Sequence, residues 1–93
     1  MNPDVSVAEF GVGPRNVKVS PNPFTESTLL KFDNKTNETL TLVVYDVLGQ
    51  IVREFKNIST DKVIIQRKSL SAGTYYYQLM GESGSDAGKF IVE

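Results

Sequence analysis

The chain has 93 residues, with ten basic and eleven acidic side chains, no cysteine and no histidine. This length predicts one small domain that can bury a core without cross-links. The formal charge of −1 offers no basic field for nucleic acid, and the missing cysteine and histidine remove the usual catalytic nucleophile–base pairs and the commonest metal ligands.

Residues 1–16 are predicted to be a linker or flexible arm that precedes a domain over residues 17–93. Isolated apolar residues stand there between prolines and glycines, which is typical of an ill-fixed segment, and a first strand over residues 5–10 is the alternative. The arm does not resemble a signal peptide, and no apolar run in the chain reaches membrane-spanning length. We therefore expect no membrane insertion, with any targeting segment lying upstream.

A stiff corner follows a short alternating strand at residues 16–19. The corner is Pro21-Asn22-Pro23, whose prolines fix the backbone and remove ladder donors. We expect it to carry the chain from one sheet to another, with Phe24 pinning it to the core.

The best strand signal in the chain lies at residues 39–45, after a predicted strand at 28–32 and a polar turn at 33–38. It leads into a β-hairpin marked by Tyr45, Asp46 and Gly49. The Asp46 side chain can accept hydrogen bonds from the amides that follow it, which favours a type I turn. Gly49 then supplies the positive φ that a one-residue bulge requires.

The second half of the chain predicts further strands at residues 51–55, 62–66, 73–80 and 87–93, separated by turns at 57–61, 69–73 and 81–84. No helical period occurs. About seven strands with a turn roughly every 8–12 residues are typical of an all-β, antiparallel two-sheet sandwich of the immunoglobulin-like type.

Consecutive tyrosines at Tyr75, Tyr76 and Tyr77 raise the hypothesis of a platform for sugars or bases. Alternation along a strand sends Tyr75 and Tyr77 to one face and Tyr76 to the other. We expect the first two in the core and Tyr76 as the exposed aromatic. The segment before Tyr75 also resembles a tyrosine corner, in which the phenol hydrogen-bonds to nearby upstream backbone.

The carboxylates suggest no catalytic set. A hydrolase pair such as Asp46 and Glu54 needs a cleft, for which so small a domain has little room, so solvated turn and edge carboxylates are favoured. Calcium binding by residues 33–38, or by Asp86 beside Gly84, is a second hypothesis, but neither stretch has the ligand spacing of a calcium loop. We expect no metal, no cofactor and no enzyme activity.

Several short motifs occur in a characteristic order and end at the C-terminus. They are Ser20-Pro21-Asn22-Pro23-Phe24, Val44-Tyr45-Asp46-Val47-Leu48-Gly49-Gln50-Ile51-Val52-Arg53, Leu70-Ser71-Ala72-Gly73-Thr74-Tyr75 and Gly88-Lys89-Phe90-Ile91-Val92. Together they resemble the type A C-terminal sorting domain of the type IX (Por) secretion system of Gram-negative bacteria, over residues 17–93.

The resemblance implies a detachable address label at the C-terminus of an exported cargo protein. Such a cargo crosses the periplasm, is recognised by the outer-membrane translocon, and reaches the cell surface or the medium. A sortase-like peptidase commonly removes the label there, and the cut is expected here within residues 1–16.

By the same resemblance, the residues that carry the signal are expected in the last two strands. They are Gly73, Tyr75, Gly88, Lys89, Phe90, Ile91 and Val92. We expect Phe90 and Val92 to face inward, and we hypothesise that the last strand lies at a sheet edge that a receptor extends by strand addition. Exposed edges also leave an edge-mediated homodimer open.

The competing hypothesis is an immunoglobulin-like binding or adhesive module of a cell-surface protein. The corresponding domain of flagellar hook-capping proteins has a similar hairpin, but it usually carries a Trp-Asp-Gly segment before the Gly-x-Tyr strand. This chain contains no tryptophan. An exposed aromatic row, or sugar binding in a titration, would favour this alternative.

Overall fold

Seven β-strands lie within residues 12–93, the part of the chain that the computed structural model describes. They are β1 (Lys18–Ser20), β2 (Ser27–Lys31), β3 (Leu40–Tyr45), β4 (Ile51–Ile58), β5 (Lys62–Gln66), β6 (Gly73–Gly81) and β7 (Gly84–Val92). They form a three-stranded sheet in the order β1-β2-β5 and a four-stranded sheet in the order β4-β3-β6-β7. Every strand pair is antiparallel, so the expected all-β, two-sheet sandwich is confirmed.

The hydrophobic core lies between the two sheets and is filled by alternate residues of each strand. On β3, Leu40, Leu42 and Val44 are fully buried, as the alternation predicts. The opposite sheet contributes Leu30 and Ile65, which are also fully buried. This alternation of inward and outward side chains determines which residues of the signal strands can reach a partner.

The turn of the β3–β4 hairpin is determined by Asp46 and Gly49. The Asp46 carboxylate accepts hydrogen bonds from the Leu48 and Gln50 amides at 2.9 and 3.0 Å, and the Gly49 amide donates to the Asp46 carbonyl at 3.0 Å. Gly49 has a φ of 84°, and the strand register shifts between Val44 and Tyr45. The predicted turn with a glycine bulge is therefore confirmed.

Two strands are longer than their sequence pattern indicates. β4 continues to Ile58 instead of ending at Phe55. Asn57 takes a φ of 58°, and the strand register shifts between Phe55 and Ile58, so that both of these apolar side chains pack against the core. β7 begins at Gly84 instead of Ala87, because only Glu82 and Ser83 separate the paired residues Gly81 and Gly84.

The Pro21-Asn22-Pro23 corner does not transfer the chain between sheets, contrary to expectation. It joins β1 to β2, which are neighbours in the same sheet, and both of its X-Pro bonds are cis. Phe24 is buried as expected, and its backbone also bridges to Val92 of the other sheet. The corner therefore contacts the other sheet, although the chain itself stays in the same sheet.

Ordered packing begins before residue 17, earlier than the predicted linker boundary. Val12 pairs with Ala87 of β7, while Arg15 and Val17 are buried. Residues 12–16 of the expected arm thus contact the sandwich, and residues 1–11 lie outside the described residues. The alternative strand at residues 5–10 lies outside the described residues.

Candidate recognition site

The β6–β7 hairpin carries all the residues that the C-terminal motifs single out. Its register places Tyr75 opposite Phe90, Tyr76 opposite Lys89 and Tyr77 opposite Gly88. Since residues directly opposite each other share a face, these rows alternate between the core and the outer surface. The hairpin therefore separates the motif into an inner set and an outer set.

Tyr75 anchors the inner set and forms the predicted tyrosine corner. Its hydroxyl donates to the Ser71 carbonyl at 2.7 Å, and its ring stacks on Phe90 with centroids 5.9 Å apart. Gly73, two residues earlier, has a φ of 151°, in the region that favours glycine. Both residues of the Gly-x-Tyr motif thus fix the start of β6.

Only glycine fits at position 88, because of the side chain that lies opposite it in the paired strand. A Cβ at this position would collide with the phenol oxygen and ring of Tyr77. The Tyr77 side chain is buried, and its hydroxyl has no hydrogen-bond partner among the described residues. Burial, and secondarily the nearby Asp86 carboxylate, raise the pKa of Tyr77 to about 12.

Phe90 and Val92 complete the inner set and face inward as expected. Phe90 is fully buried and also contacts Phe24, with ring centroids 5.7 Å apart. Val92 is equally enclosed and pairs with the Phe24 backbone. Tyr75, Phe90 and Val92 therefore maintain the fold, and their buried side chains cannot be contacted directly by a partner.

Lys89 and Ile91 form the outer set, together with Tyr76. Lys89 is exposed, Ile91 is 37% exposed and Tyr76 is 46% exposed. The ion pairs within residues 12–93 join Arg15 to Glu38 and Asp86, and Lys56 to Glu54, so none of them includes Lys89. A partner could contact these three side chains directly.

The outer edge of β7 is largely covered, although β7 is an edge strand as expected. Ala87 exchanges both backbone hydrogen bonds with Val12, at 2.8 and 3.0 Å. The Ile91 amide donates to the Asn22 side-chain oxygen at 2.9 Å, and the Ile91 carbonyl accepts from the Phe24 amide at 3.1 Å. An incoming strand would have to displace these contacts, which weakens the edge-addition hypothesis.

Beside this edge lies a polar cluster formed by the buried Arg15 and Asp86 with Glu38 and Ser83. The Arg15 guanidinium donates to Asp86 at 2.8 Å, and to Glu38 and Ser83 at 3.0 Å each. The Arg15 backbone amide also donates to the Asp86 carboxylate, at 2.9 Å. The cluster ties the segment before β1 to the turn between β6 and β7.

Each ionisable group of the cluster has a hydrogen-bond partner within it. Arg15 is 4% exposed and the Asp86 side chain is fully buried, yet both Asp86 oxygens accept hydrogen bonds from Arg15. Hydrogen bonds from Ser83, and then the Arg15 charge, lower the pKa of Glu38. Asp86, considered above as a calcium ligand, is instead the partner of an arginine.

The other candidate carboxylates stay apart. Asp46 binds the amides of its own turn, and Glu54 lies on the outer surface 4.0 Å from Lys56. In the loop at residues 33–38, the Asn34 side chain bonds to the backbone of Glu38. Between residues 12 and 93, no group of three or more acidic, histidine or cysteine side chains is placed to hold a metal ion.

The sequence model of the family described as "Secretion system C-terminal sorting domain" matches residues 18–93. The chain belongs to this family. The sorting domain is thus a type IX secretion signal, as the motifs indicated, and it is destined for the cell surface or the extracellular space.

A solved structure supports the fold of the sorting domain. It is a DUF3244 family protein with an immunoglobulin-like β-sandwich fold from Bacteroides vulgatus ATCC 8482. The two proteins share 21% identity with a TM-score of 0.66, over 89% of this chain and 91% of the other. No curated protein matches the chain. Within the described residues of the sorting domain, no helix is long and apolar enough to cross a membrane.

Sequence reasoning did not find the Arg15–Asp86 pair of the sorting domain. Arg15 stands between Pro14 and Asn16 in what reads as a linker, and its partner lies 71 positions away. One signal was available: Asp86 occupies an inward position of β7, where an acid side chain needs a buried cation.

Proposed function

We propose that the chain directs an N-terminal cargo protein through the type IX outer-membrane translocon and is then removed at the cell surface by a sortase-like peptidase. The observation that carries the proposal is the family match over residues 18–93, which spans all seven strands. The division of the β6–β7 hairpin into a buried inner set and an accessible outer set supports a label that is read while folded. The cargo would cross the periplasm before this step.

The test is a secretion assay. Residues 1–93 are fused to the C-terminus of a periplasm-directed fluorescent reporter and expressed in a type IX-competent bacterium and in the same strain without the translocon pore. We expect reporter on the surface or in the medium only when the pore is present. Reporter retained in the periplasm of both strains would contradict the proposal.

We infer further that the peptidase cuts on the N-terminal side of Val12. A peptidase needs an extended, accessible segment, whereas Val12 pairs with Ala87 and Arg15 is buried against Asp86. Intact-mass measurement of the released domain should give an N-terminus at or before Val12. A released domain that begins after Arg15 would contradict this inference.

An adhesive or glycan-binding module is the second candidate, because the structure does contain an aromatic pair on an outer face. Tyr45 lies directly opposite Tyr76 on the outer surface of the four-stranded sheet. Calorimetric titration of the isolated chain with a panel of oligosaccharides tests it. Binding together with failure of the secretion assay would favour this module over the sorting signal.

A further inference from the structure

A row of side chains crosses all four strands on the outer face of the four-stranded sheet. The register places Ile51 opposite Tyr45, Tyr45 opposite Tyr76, and Tyr76 opposite Lys89. Tyr45 points outward because its neighbour Val44 is fully buried, and it is half-buried between its exposed neighbours Ile51 and Tyr76. At about 4.8 Å between strands, the row extends roughly 14 Å.

Exposed apolar side chains gather around this row. The β3–β4 turn lies at the same end of the sheet, and Ile91 is the next outward residue after Lys89 on β7. Five of the seven large apolar side chains exposed within residues 12–93 belong to this region: Val47, Leu48, Ile51, Tyr76 and Ile91. We call these five residues and Lys89 the docking patch.

The exposures within the patch are large. Leu48 is 79% exposed, Val47 is 67% and Ile51 is 58%. A concentration of exposed apolar surface with a polar rim is typical of a protein interaction site. Scattered single apolar residues would carry no such meaning.

Lys89 supplies the only charge in the row. It has no ion-pair partner within residues 12–93, whereas Glu54 and Lys56, on the same sheet, lie 4.0 Å from each other. The Asp46 carboxylate accepts hydrogen bonds from its own turn amides and takes part in none of the ion pairs within residues 12–93. The patch therefore presents apolar surface with one uncompensated positive charge, and its complement is an apolar surface with a carboxylate opposite Lys89.

We propose that the docking patch is the surface by which the export machinery holds the folded domain, through a protein partner with an apolar surface and an acidic residue facing Lys89. This inference rests on the proposed function. The aliphatic majority of the patch favours a protein over a glycan, since a sugar platform needs several aromatic faces and Tyr76 is the one aromatic among the exposed large apolar residues. Docking on this face also leaves the contacts of Val12 and Asn22 at the β7 edge intact.

The chain offers matched controls for two patch residues, Ile51 and Lys89. Ile64, on the outer face of β5, is 60% exposed and is the counterpart of Ile51 at 58%. Lys56, with a 67% exposed side chain on β4, is the counterpart of Lys89. Equivalent substitutions at each pair make the same chemical change inside and outside the docking patch.

The experiment is the reporter assay with the double variants Ile51→Ser/Tyr76→Ser and Ile64→Ser/Lys56→Glu, and with Lys89→Glu and Lys89→Ala. We expect the first double variant to lower surface reporter by about tenfold or more, since aromatic and apolar anchors carry most interface energy. Lys89→Glu should lower it more than Lys89→Ala does. The control variant should be exported like the unmodified fusion.

Three results would overturn the inference while the proposed function stands: normal export of the patch variants, equal loss in the control variant, or loss accompanied by a lower unfolding midpoint of the purified chain. Sugar binding that Tyr76→Ser abolishes would assign the patch to a glycan and would also overturn it. Failure of the unmodified fusion to be exported is a different outcome, since it contradicts the proposed function itself.

Discussion

On the inner face of the β6–β7 hairpin, Tyr75, Tyr77 and Phe90 are at most 6% exposed, whereas on its outer face Tyr76 and Ile91 are 46% and 37% exposed. The two sets alternate along the same strands, so a contiguous sequence motif contains both. The inner residues fix the geometry of the hairpin, and the outer residues form the surface that a partner can contact. A loss of export on mutating such a motif therefore has two distinct physical causes, which stability measurements can separate.

The largest effect is expected at the centre of the inner face. Phe90→Ala removes a fully buried ring that contacts Phe24 and Tyr75, and should lower the free energy of unfolding by about 3–5 kcal/mol. Urea denaturation followed by circular dichroism measures it. The neighbouring Lys89→Ala should change stability by less than about 0.5 kcal/mol. Similar losses at both positions would contradict the division of the hairpin into two faces.

The buried ion pair should be nearly as sensitive. Asp86→Ala leaves the Arg15 guanidinium 4% exposed with only Glu38 as a charged partner, and should cost about 3 kcal/mol of unfolding free energy. The apolar double variant Arg15→Met/Asp86→Leu, which leaves no unpaired charge, should recover much of this loss. If the double variant were less stable than Asp86→Ala, the penalty would not come from an uncompensated buried charge.

A smaller effect is expected at the tyrosine corner. Tyr75→Phe keeps the ring stacked on Phe90 but removes the 2.7 Å hydrogen bond to the Ser71 carbonyl, so the unfolding free energy should fall by about 1 kcal/mol. The same denaturation experiment measures the change. No loss at all would mean that the hydroxyl is replaced by water without cost.

The smallest loss of unfolding free energy at neutral pH is expected for Tyr77→Phe. It makes the same chemical change as Tyr75→Phe at the next inward position of β6. Its hydroxyl has no hydrogen-bond partner among the described residues, so Tyr77→Phe should leave stability unchanged or raise it by about 1 kcal/mol. A clear loss on Tyr77→Phe would show that the hydroxyl has a partner.

Ionisation of Tyr77 should lower the stability of the fold at alkaline pH. Its pKa is raised from 10.0 to about 12, so the fold favours the neutral phenol. The stability that the neutral Tyr77 phenol contributes is complete below pH 10 and is lost as the pH rises toward 12. Denaturation at a series of alkaline pH values should show this decline in the unmodified chain and a weaker one in Tyr77→Phe.

These effects differ in how far the sequence predicts them. The Asp46–Gly49 turn and the Tyr75 corner depend on residues within four positions of each other, and both were predicted correctly. The inward direction of Phe90 and the outward direction of Tyr76 follow from strand alternation alone. Local chemistry and periodicity were therefore sufficient for these features.

The features that were missed depend on which strands become neighbours. The motif includes Gly88, but the reason for a glycine there is visible only in the structure, where Tyr77 lies across it in the paired strand. Asn22 reaches Ile91, and Arg15 reaches Asp86, over 69 and 71 positions. Asn57 is the exception, since asparagine tolerates positive φ and a bulge there was a foreseeable alternative to a loop.

The Arg15 cluster also has a mechanical consequence. A pulling force applied from the N-terminal side of the chain would reach the bonds of Val12 to Ala87 and the Arg15–Asp86 pair before it reached the apolar core. Tension would thus be carried first by β7 and by the turn that contains Ser83. A charged, hydrogen-bonded anchor at the point of load would let the sandwich resist unravelling while an attached chain is drawn along.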